Sequence, residues 1–352
     1  MIRAVPLRVA IVGLGWVALH RHLPSLMRSH GFQLVGVIDL HEGLAARTAK
    51  KYGLPFHAQT ENLCDVPWLD QVDALTIAAP PAAHAPLVLA ALAKGKHVLT
   101  EKPFATSVSD GEAMVAAAQN ANKTLCVVHN FQFSRAAKKL QNDLQKNRLG
   151  AVKRITATQL GNPKRRLPSW YETLPLGLFY DESPHFFYLL HGLAAGALKL
   201  RHAYGVHDPS GMNTPSSINL LYSDDRNIPL TVSCQFDSAL SEWHVMVTGE
   251  KATGLLDIFR DIYIRLPNDG RHNALQILRT SVCAFAAHFW QHIPNGLALL
   301  RGRLDYGNDE IMRRFAAAIR TGKPDDKIDA AHALAVLKLQ HEATTALQSN
   351  MF

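Results

Sequence analysis

Cysteine is scarce in this chain: Cys64, Cys126, Cys234 and Cys283 are four residues in 352, with no Cys-x-x-Cys pair. That excludes a disulfide framework and a zinc knuckle, and the expectation is buried free thiols in a reducing, cytoplasmic setting. Charge is low as well, at 19% of residues against 47% hydrophobic, which excludes general disorder. The net charge of +8 is spread along the sequence except at Lys164-Arg165-Arg166. No nucleic-acid motif accompanies it, so nucleic acid is not an expected partner and an anionic cofactor or substrate explains the excess. Thr280 to Leu300 contains no Asp, Glu, Lys or Arg. Histidines, Gln291 and Pro294-Asn-Gly296 interrupt that run, so a buried helix or subunit interface is expected. Stable membrane insertion is not, and peripheral membrane contact is the remaining option. Met1 to Pro6 leaves no room for a secretory leader before the first apolar run. Internal repeats and low-complexity segments are absent.

What is present begins at Leu7. A β-branched apolar run, Val9 to Val12, leads into Gly13-x-Gly15-x-x-Ala18, after which helical spacing runs through His20, Leu23 and Leu26. Strand, glycine turn and helix form the dinucleotide fingerprint. Gly13 permits the tight turn, Gly15 leaves room for a pyrophosphate, and Ala18 lets the helix lie close to the strand. The helix's first N–H groups, with those of Trp16 and Val17, then face the phosphates. A second apolar strand, Gln33 to Ile38, ends in Asp39, where a carboxylate would hold the adenosine ribose hydroxyls.

A helix through Ala45-Ala46 to Lys51 stops at Gly53, followed by a strand near Phe56 and an acidic helix-forming stretch from Glu61 to Leu69. Further strands are expected at Asp73–Ala79, Lys96–Pro103 and Thr124–His129, with helices at Ala85–Lys94 and Val108–Asn122. This alternation predicts a doubly wound parallel Rossmann sheet, α/β in class, whose carboxyl edge binds the ligand. Beyond residue 129 the pattern changes. After a helix at Ala136–Asn147, alternating stretches at Val152–Gln159, Ser217–Tyr222, Leu230–Phe236, His244–Thr248 and Gly254–Ile258 predict an open, mainly antiparallel sheet in an α+β domain. Helices return at Ala274–Trp290, Asn308–Arg320 and Ala330–Gln348. The division expected is 1–129 for the dinucleotide domain and 130–352 for a substrate-binding and oligomerisation domain.

The order of the GxGxxA turn, Pro80-Pro81-x-x-His84, Glu101-Lys102-Pro103 and Asp181-x-x-x-His185 resembles the glucose–fructose oxidoreductase/inositol dehydrogenase (Gfo/Idh/MocA) family along nearly the whole chain. The resemblance implies that Lys102, Asp181 and His185 work beside a nicotinamide, and that the second domain's open sheet binds substrate and often forms an oligomer interface. The chain departs from the family in Pro175-Leu-Gly-Leu-Phe-Tyr-Asp-Glu-Ser-Pro-His185, which lacks the glycine-rich run before the aspartate and the glycine two residues after it. The cofactor-contacting set that follows is Gly13, Gly15, Trp16, Val17, Ala18 and Asp39 with Ala79, Pro80, His84, Glu101 and Lys102.

Hydride transfer at an alcohol or ketone needs a proton acceptor or donor, and histidine titrates near working pH. Asp181 and His185 share a face if the segment is helical, so the carboxylate either fixes the imidazole or touches a substrate hydroxyl. On spacing alone an interior histidine and a helix cap are the favoured reading, and the family order with Lys102 turns it toward function. Lys102, held extended by Pro103, polarises the substrate oxygen, or is a solvated strand end. His84 touches the cofactor ribose or caps the next helix. Arg165 and Arg166 beside Trp170 and Tyr171 suit an anionic sugar derivative, or form a surface loop. His288, Trp290 and His292 lack a matching carboxylate or thiolate, so no metal is expected. The expectation is an NAD-dependent oxidoreductase of a sugar, polyol or sugar derivative, with NADP the less favoured cofactor. It is expected to be a homo-oligomer, dimer or tetramer, with substrate bound by Lys102, Arg165, Trp170, Asp181 and His185. A glycosidase using transient oxidation and a dinucleotide-sensing regulator are the alternatives.

Overall fold

The apolar run that opens the sequence becomes strand β1 (Leu7–Val12), whose last four residues are buried. In this computed structural model, which describes residues 5–302 and 304–351, β1 lies between β2 (Phe32–Asp39) and β4 (Ala74–Ile77). Residues 1–4, where the leader question falls, lie outside the described residues. β3 (Phe56–Gln59) pairs with β2, while β5 (His97–Thr100) and β6 (Leu125–Val127) continue beyond β4, giving the order β3-β2-β1-β4-β5-β6. Every pairing is parallel. Short runs of Val, Ile and Leu suit such strands because helices cover both faces. The chain leaves β1 first to one side and then to the other, so the carboxyl ends of β1 and β4 mark the divide where such sheets bind ligands.

The first helical stretch is a π turn, Ala18–His22, running into α1 (Leu23–Arg28). α2 (Leu44–Tyr52), α3 (His84–Ala93) and α4 (Val108–Asn120) follow their strands, and α2 ends at Gly53 as its sequence indicates. The helix expected over Glu61 to Leu69 does not form. Two 3₁₀ turns, Leu63–Asp65 and Leu69–Gln71, stand there instead. Pro67 explains this, since it lacks an N–H and pushes Val66 out of the helical region, to ψ 104°.

A second sheet has the order β13-β12-β11-β7-β10-β9-β8. Its strands are β7 (Val152–Leu160), β8 (Lys199–Val206), β9 (Ser217–Ser223), β10 (Pro229–Gln235), β11 (Glu242–Gly249), β12 (Ala252–Asp257) and β13 (Ile262–Pro267). All pairs are antiparallel except β7 with β10. The sequence pattern missed β8 and β13, the two edges; β8 carries Lys199, Arg201 and His202, as an edge strand can. α5 (Arg135–Gln145) precedes this sheet, and Asp261 caps it by accepting the N–H of Ala136 at 2.8 Å. α6 (Leu178–Glu182) and α7 (Pro184–Leu193) lie between β7 and β8. α8 (Ala274–Leu300) runs ten residues past its expected end, through Pro294, and it is not a buried helix.

α9 (Asn308–Thr321) and α10 (Ala330–Ser349) complete the chain. The compact units are discontinuous: residues 1–130 with 307–338, and residues 131–306 with 339–352. Residues 307–338 thus differ from the expected division at 129/130 by returning to the first unit. Burial accounts for the return. Phe315 is fully buried and stacks on Phe32 at 5.5 Å, while Ala333 and Leu337 join the core beneath β6 and α4. The cysteines are unpaired, but only Cys126 and Cys234 are buried. Cys64, in a 3₁₀ turn, is exposed and Cys283 is partly so, which corrects the expectation of four buried thiols. Among the described residues no helix is long and apolar enough to cross a membrane.

Phe315→Ala tests the discontinuous core. It should lower stability by about 3–5 kcal/mol, read by urea unfolding; an unchanged midpoint would show that residues 307–338 add nothing to the first unit's core.

Candidate active site

The glycine turn is where β1 meets the end of β4. Gly13 has φ +82°, and a Cβ on it would stand 2.8 Å from the Ala79 amide nitrogen. Its own N–H donates to Ile38 O at 2.9 Å. No side chain fits there. Gly15 is the opposite case, for a Cβ on it would meet nothing within 4 Å. The space beside it therefore suits a pyrophosphate, and the helix that starts at Trp16 turns its first N–H groups to that side. Ala18 is fully buried against the sheet, as its small size requires. The Trp16 ring is exposed, stacking on His20 at 4.7 Å with the Arg21 guanidinium over it at 5.3 Å.

Asp39 ends β2 and is buried. Its carboxylate accepts the Leu14 N–H at 2.6 Å, and the His41 N–H and Nδ1 at 2.8 Å each. The same group that would meet ribose hydroxyls thus also braces the glycine turn, and a carboxylate has capacity for about four such bonds. The Arg47 guanidinium lies close over Gly43 just beyond it.

At the end of β5 the sequence reading named Glu101 and Lys102 but missed the partner of the first. His22, wholly buried, donates through Nε2 to Glu101 Oε1 at 2.9 Å, and the Lys102 N–H donates to Oε2 at 3.1 Å. Burial alone would push the Glu101 carboxyl up, but the His22 bond and the nearby positive charges hold it below the ordinary carboxylate range. Sequence separation hid this pair, since the two are 79 positions apart. Lys102 is half-buried, and the Lys102–Pro103 bond is cis. His84 is fully buried with Nδ1 2.7 Å from Pro103 O and Nε2 2.9 Å from Ala79 O. Burial pushes its pKa down, and a neutral ring donates to only one carbonyl at a time. His84 therefore stands between two backbone loops, bonding one of them at a time, and makes no side-chain cap of α3. Ala79 is half-buried and Pro80 exposed beside it.

In the second unit, Asp181 and His185 do not share one helix. Asp181 is in α6 and His185 in α7, with Ser183 as the joint and Pro184 opening α7. Gln340 fixes that joint by donating to Tyr180 O and to Ser183 Oγ. The buried His185 ring lies 4.4 Å from the Phe131 ring and 5.3 Å from Trp243, centroid to centroid. Its Nδ1 is 2.8 Å from Tyr188 Oη, which also accepts the Phe131 N–H at 3.0 Å. Tyr188 was missed, although it stands three residues on and one turn along the same helix.

Arg165 has a different partner from the one expected. Its guanidinium donates to the buried Glu182 at 2.8 Å, and Gln159 donates to the same carboxylate. Its charge is thus committed within the fold, whereas Arg166 is exposed and Trp170 half-buried in the loop after β7. His288 and His292 stack at 5.5 Å on α8. Glu242, His244 and Asp257 bring three ligand-type atoms within 4.8 Å of one another. The Arg260 guanidinium already donates to both carboxylates there, at 2.5 to 2.8 Å, and supplies the positive charge a cation would bring.

Comparison with known proteins agrees with the glycine turn. Residues 7–129 match a family model described as an oxidoreductase family with an NAD-binding Rossmann fold. A scyllo-inositol 2-dehydrogenase (NADP(+)) of Bacillus subtilis is 34% identical over 152 residues, 43% of this chain and 45% of that protein. A dTDP-3,4-didehydro-2,6-dideoxy-alpha-D-glucose 3-reductase of Streptomyces antibioticus is 34% identical over 125 residues, 36% of this chain and 37% of its own. The chain spans about half the length of the curated relatives it matches. Among solved structures, a 3-ketoreductase from Actinomadura kijaniata in complex with TDP-benzene and NADP superposes with a TM-score of 0.76 at 17% identity, covering 99% of both chains.

Two alanine substitutions separate the roles of the glycines. Gly13→Ala should cost more than about 1–2 kcal/mol of stability, because it forces a left-handed residue against the Ala79 backbone. Gly15→Ala should fold as the native chain does yet bind NADH roughly tenfold to a hundredfold more weakly, the loss of a phosphate contact. Fluorescence titration alongside thermal unfolding checks both; unchanged NADH affinity in Gly15→Ala would remove the phosphate from this turn.

Proposed function

We infer that this chain, whose residues 7–129 are an NAD-binding Rossmann domain of the Gfo/Idh/MocA oxidoreductase family, oxidises or reduces a secondary alcohol or ketone of a sugar, polyol or sugar derivative. The glycine turn at the β1–β4 divide carries this reading, with its open space at Gly15. Gly13, Gly15, Trp16, Val17, Ala18 and Asp39 would hold the dinucleotide, with Ala79, Pro80, Glu101 and Lys102 at the neighbouring strand ends. When bound, the nicotinamide supplies or takes up the hydride. The inositol and nucleotide-sugar relatives support the substrate class.

His185 is the proposed acid and base. Tyr188 Oη has two lone pairs, enough to accept both the Phe131 N–H and an Nδ1–H of His185. With Nδ1–H donated to Tyr188, proton exchange would fall to Nε2. That bond also holds in the imidazolium, which keeps the Nδ1–H, so the ring gains or loses a proton without turning. Lys102 is the proposed oxygen-polarising group, Asp181 the orienter, and Arg166 and Trp170 the substrate-side contacts of the loop after β7. Arg165 acts through Glu182 to hold that loop.

Asp39 favours NAD(H), since a carboxylate there repels a 2′-phosphate. Arg47 over Gly43, and relatives named or solved with NADP, favour the opposite preference. We further propose a homo-oligomer, dimer or tetramer, formed through the second unit's sheet, whose mass light scattering reads. The four unpaired cysteines suit a cytoplasmic setting.

Absorbance screening of sugars, inositols and nucleotide sugars against NAD(H) and NADP(H) is the direct test, with no turnover on any member the adverse result. On the substrate so found, His185→Asn and Lys102→Met should each lower kcat by about 100- to 10,000-fold with little change in NADH affinity. Tyr188→Phe should lower it by roughly fivefold to a hundredfold and shift the pH profile. Near-native turnover in both His185→Asn and Lys102→Met would send the acid–base role elsewhere. For the cofactor, kcat/KM should favour NAD(H), and Asp39→Ala should narrow the ratio; a native preference for NADP(H) would transfer the decision to Arg47.

A further inference from the structure

Helix α8 is amphipathic the wrong way round. Two of its polar side chains face its own domain: Gln291 accepts the Tyr263 N–H at 3.2 Å and donates to Tyr263 O at 2.7 Å, closing the edge of β13. One turn on, Asn295 is buried and donates to Arg260 O at 3.0 Å and Asp261 O at 2.7 Å. The opposite side is apolar and bare. Leu275, Leu278, Val282, Phe285 and Phe289 recur at intervals of three and four residues, which keeps them on one face of a helix. Phe285 is 69% exposed, Leu275 78%, and Trp290 at the margin of the stripe 70%. At about 1.5 Å per residue the helix is about 40 Å long, and a soluble surface rarely leaves such a strip to water.

We propose that α8 docks this protein on an anionic lipid surface, lying in the headgroup plane with its apolar stripe toward the acyl chains. Charge selects this occupant. Between Asp269 and Asp305 the sequence has no acidic residue and four arginines, Arg271, Arg279, Arg301 and Arg303. Among the described residues Arg271, Arg279 and Arg301 make no ion pair. A second copy of the helix would oppose arginine to arginine with no carboxylate on the helix to compensate, whereas lipid phosphates complement every one of them. Leu, Phe and Trp on one side with only basic charge alongside is the composition of helices that lie in the membrane interface. The side that such helices turn to water is here turned to β13.

Flotation of the full-length protein with phosphatidylcholine vesicles, with and without phosphatidylglycerol, tests the proposal. Binding is expected only when the anionic lipid is present, and it should weaken as salt rises. Phe285→Glu should reduce partitioning by about tenfold or more, and Arg279→Gln by roughly fivefold. Both variants alter exposed side chains and should keep native unfolding and NADH affinity. Absence of flotation with either vesicle overturns the proposal, as does equal binding to both. So does a Phe285→Glu variant that floats normally but has a smaller mass by light scattering, which would assign the stripe to a second copy.

Discussion

The contact on which the first unit depends is backbone against backbone: the Cα of Gly13 lies where any Cβ would strike the Ala78–Ala79 peptide. From there a closed circuit of contacts can be followed. Ala79 O meets one nitrogen of His84, and the other nitrogen meets Pro103 O. Two residues before Pro103, Glu101 accepts from His22, which returns the circuit to the helical stretch that follows Gly13. Asp39 closes the third side by accepting from Leu14. Four strand ends are thereby held in fixed relation by buried polar groups, each of which would be costly to leave unpaired. A ligand at this edge meets a surface already assembled, so little ordering is left for binding to drive.

The second unit reaches precision by another route. His185 is packed among Phe131, Trp243 and Tyr188, and those rings leave it few orientations. Tyr188, which its Nδ1 meets at 2.8 Å, accepts a backbone amide in turn. Aromatic packing sets the plane of the ring, and the phenol gives Nδ1 a fixed hydrogen-bond partner. Glu182 and Arg165 do comparable work for the loop after β7, where a buried ion pair with Gln159 takes up the charge that the sequence seemed to offer a substrate.

Much of this was legible in the sequence, and what was not follows a physical pattern. The six parallel strands announced themselves through apolar runs broken at regular intervals, and the glycine turn through its residue types. The pairs that organise the strand ends did not, because His22 and Glu101 are far apart in sequence and no local rule joins them. Pro67 overrode the helical composition around it, whereas Pro294 lies within a helix that runs on for six more residues. Asp181 and His185 have helical spacing but belong to two helices, since Pro184 begins a new one. α8 misled because apolar composition does not say which way a face points; that depended on Gln291 and Asn295, whose partners lie on a strand the sequence pattern did not reveal.

The return of residues 307–338 to the first unit bears on the order in which the molecule is made. The glycine turn leaves the ribosome before residues 131–306, but Phe315, Ala333 and Leu337, which complete the core of its unit, leave after them. All of residues 131–306 must be synthesised in between, and that part in turn waits for residues 339–352. Neither unit can close before the other has been translated, and no single cut in the chain yields two whole ones. Their maturation is therefore one event, and the core behind the glycine turn closes only after residues 131–306 have been made.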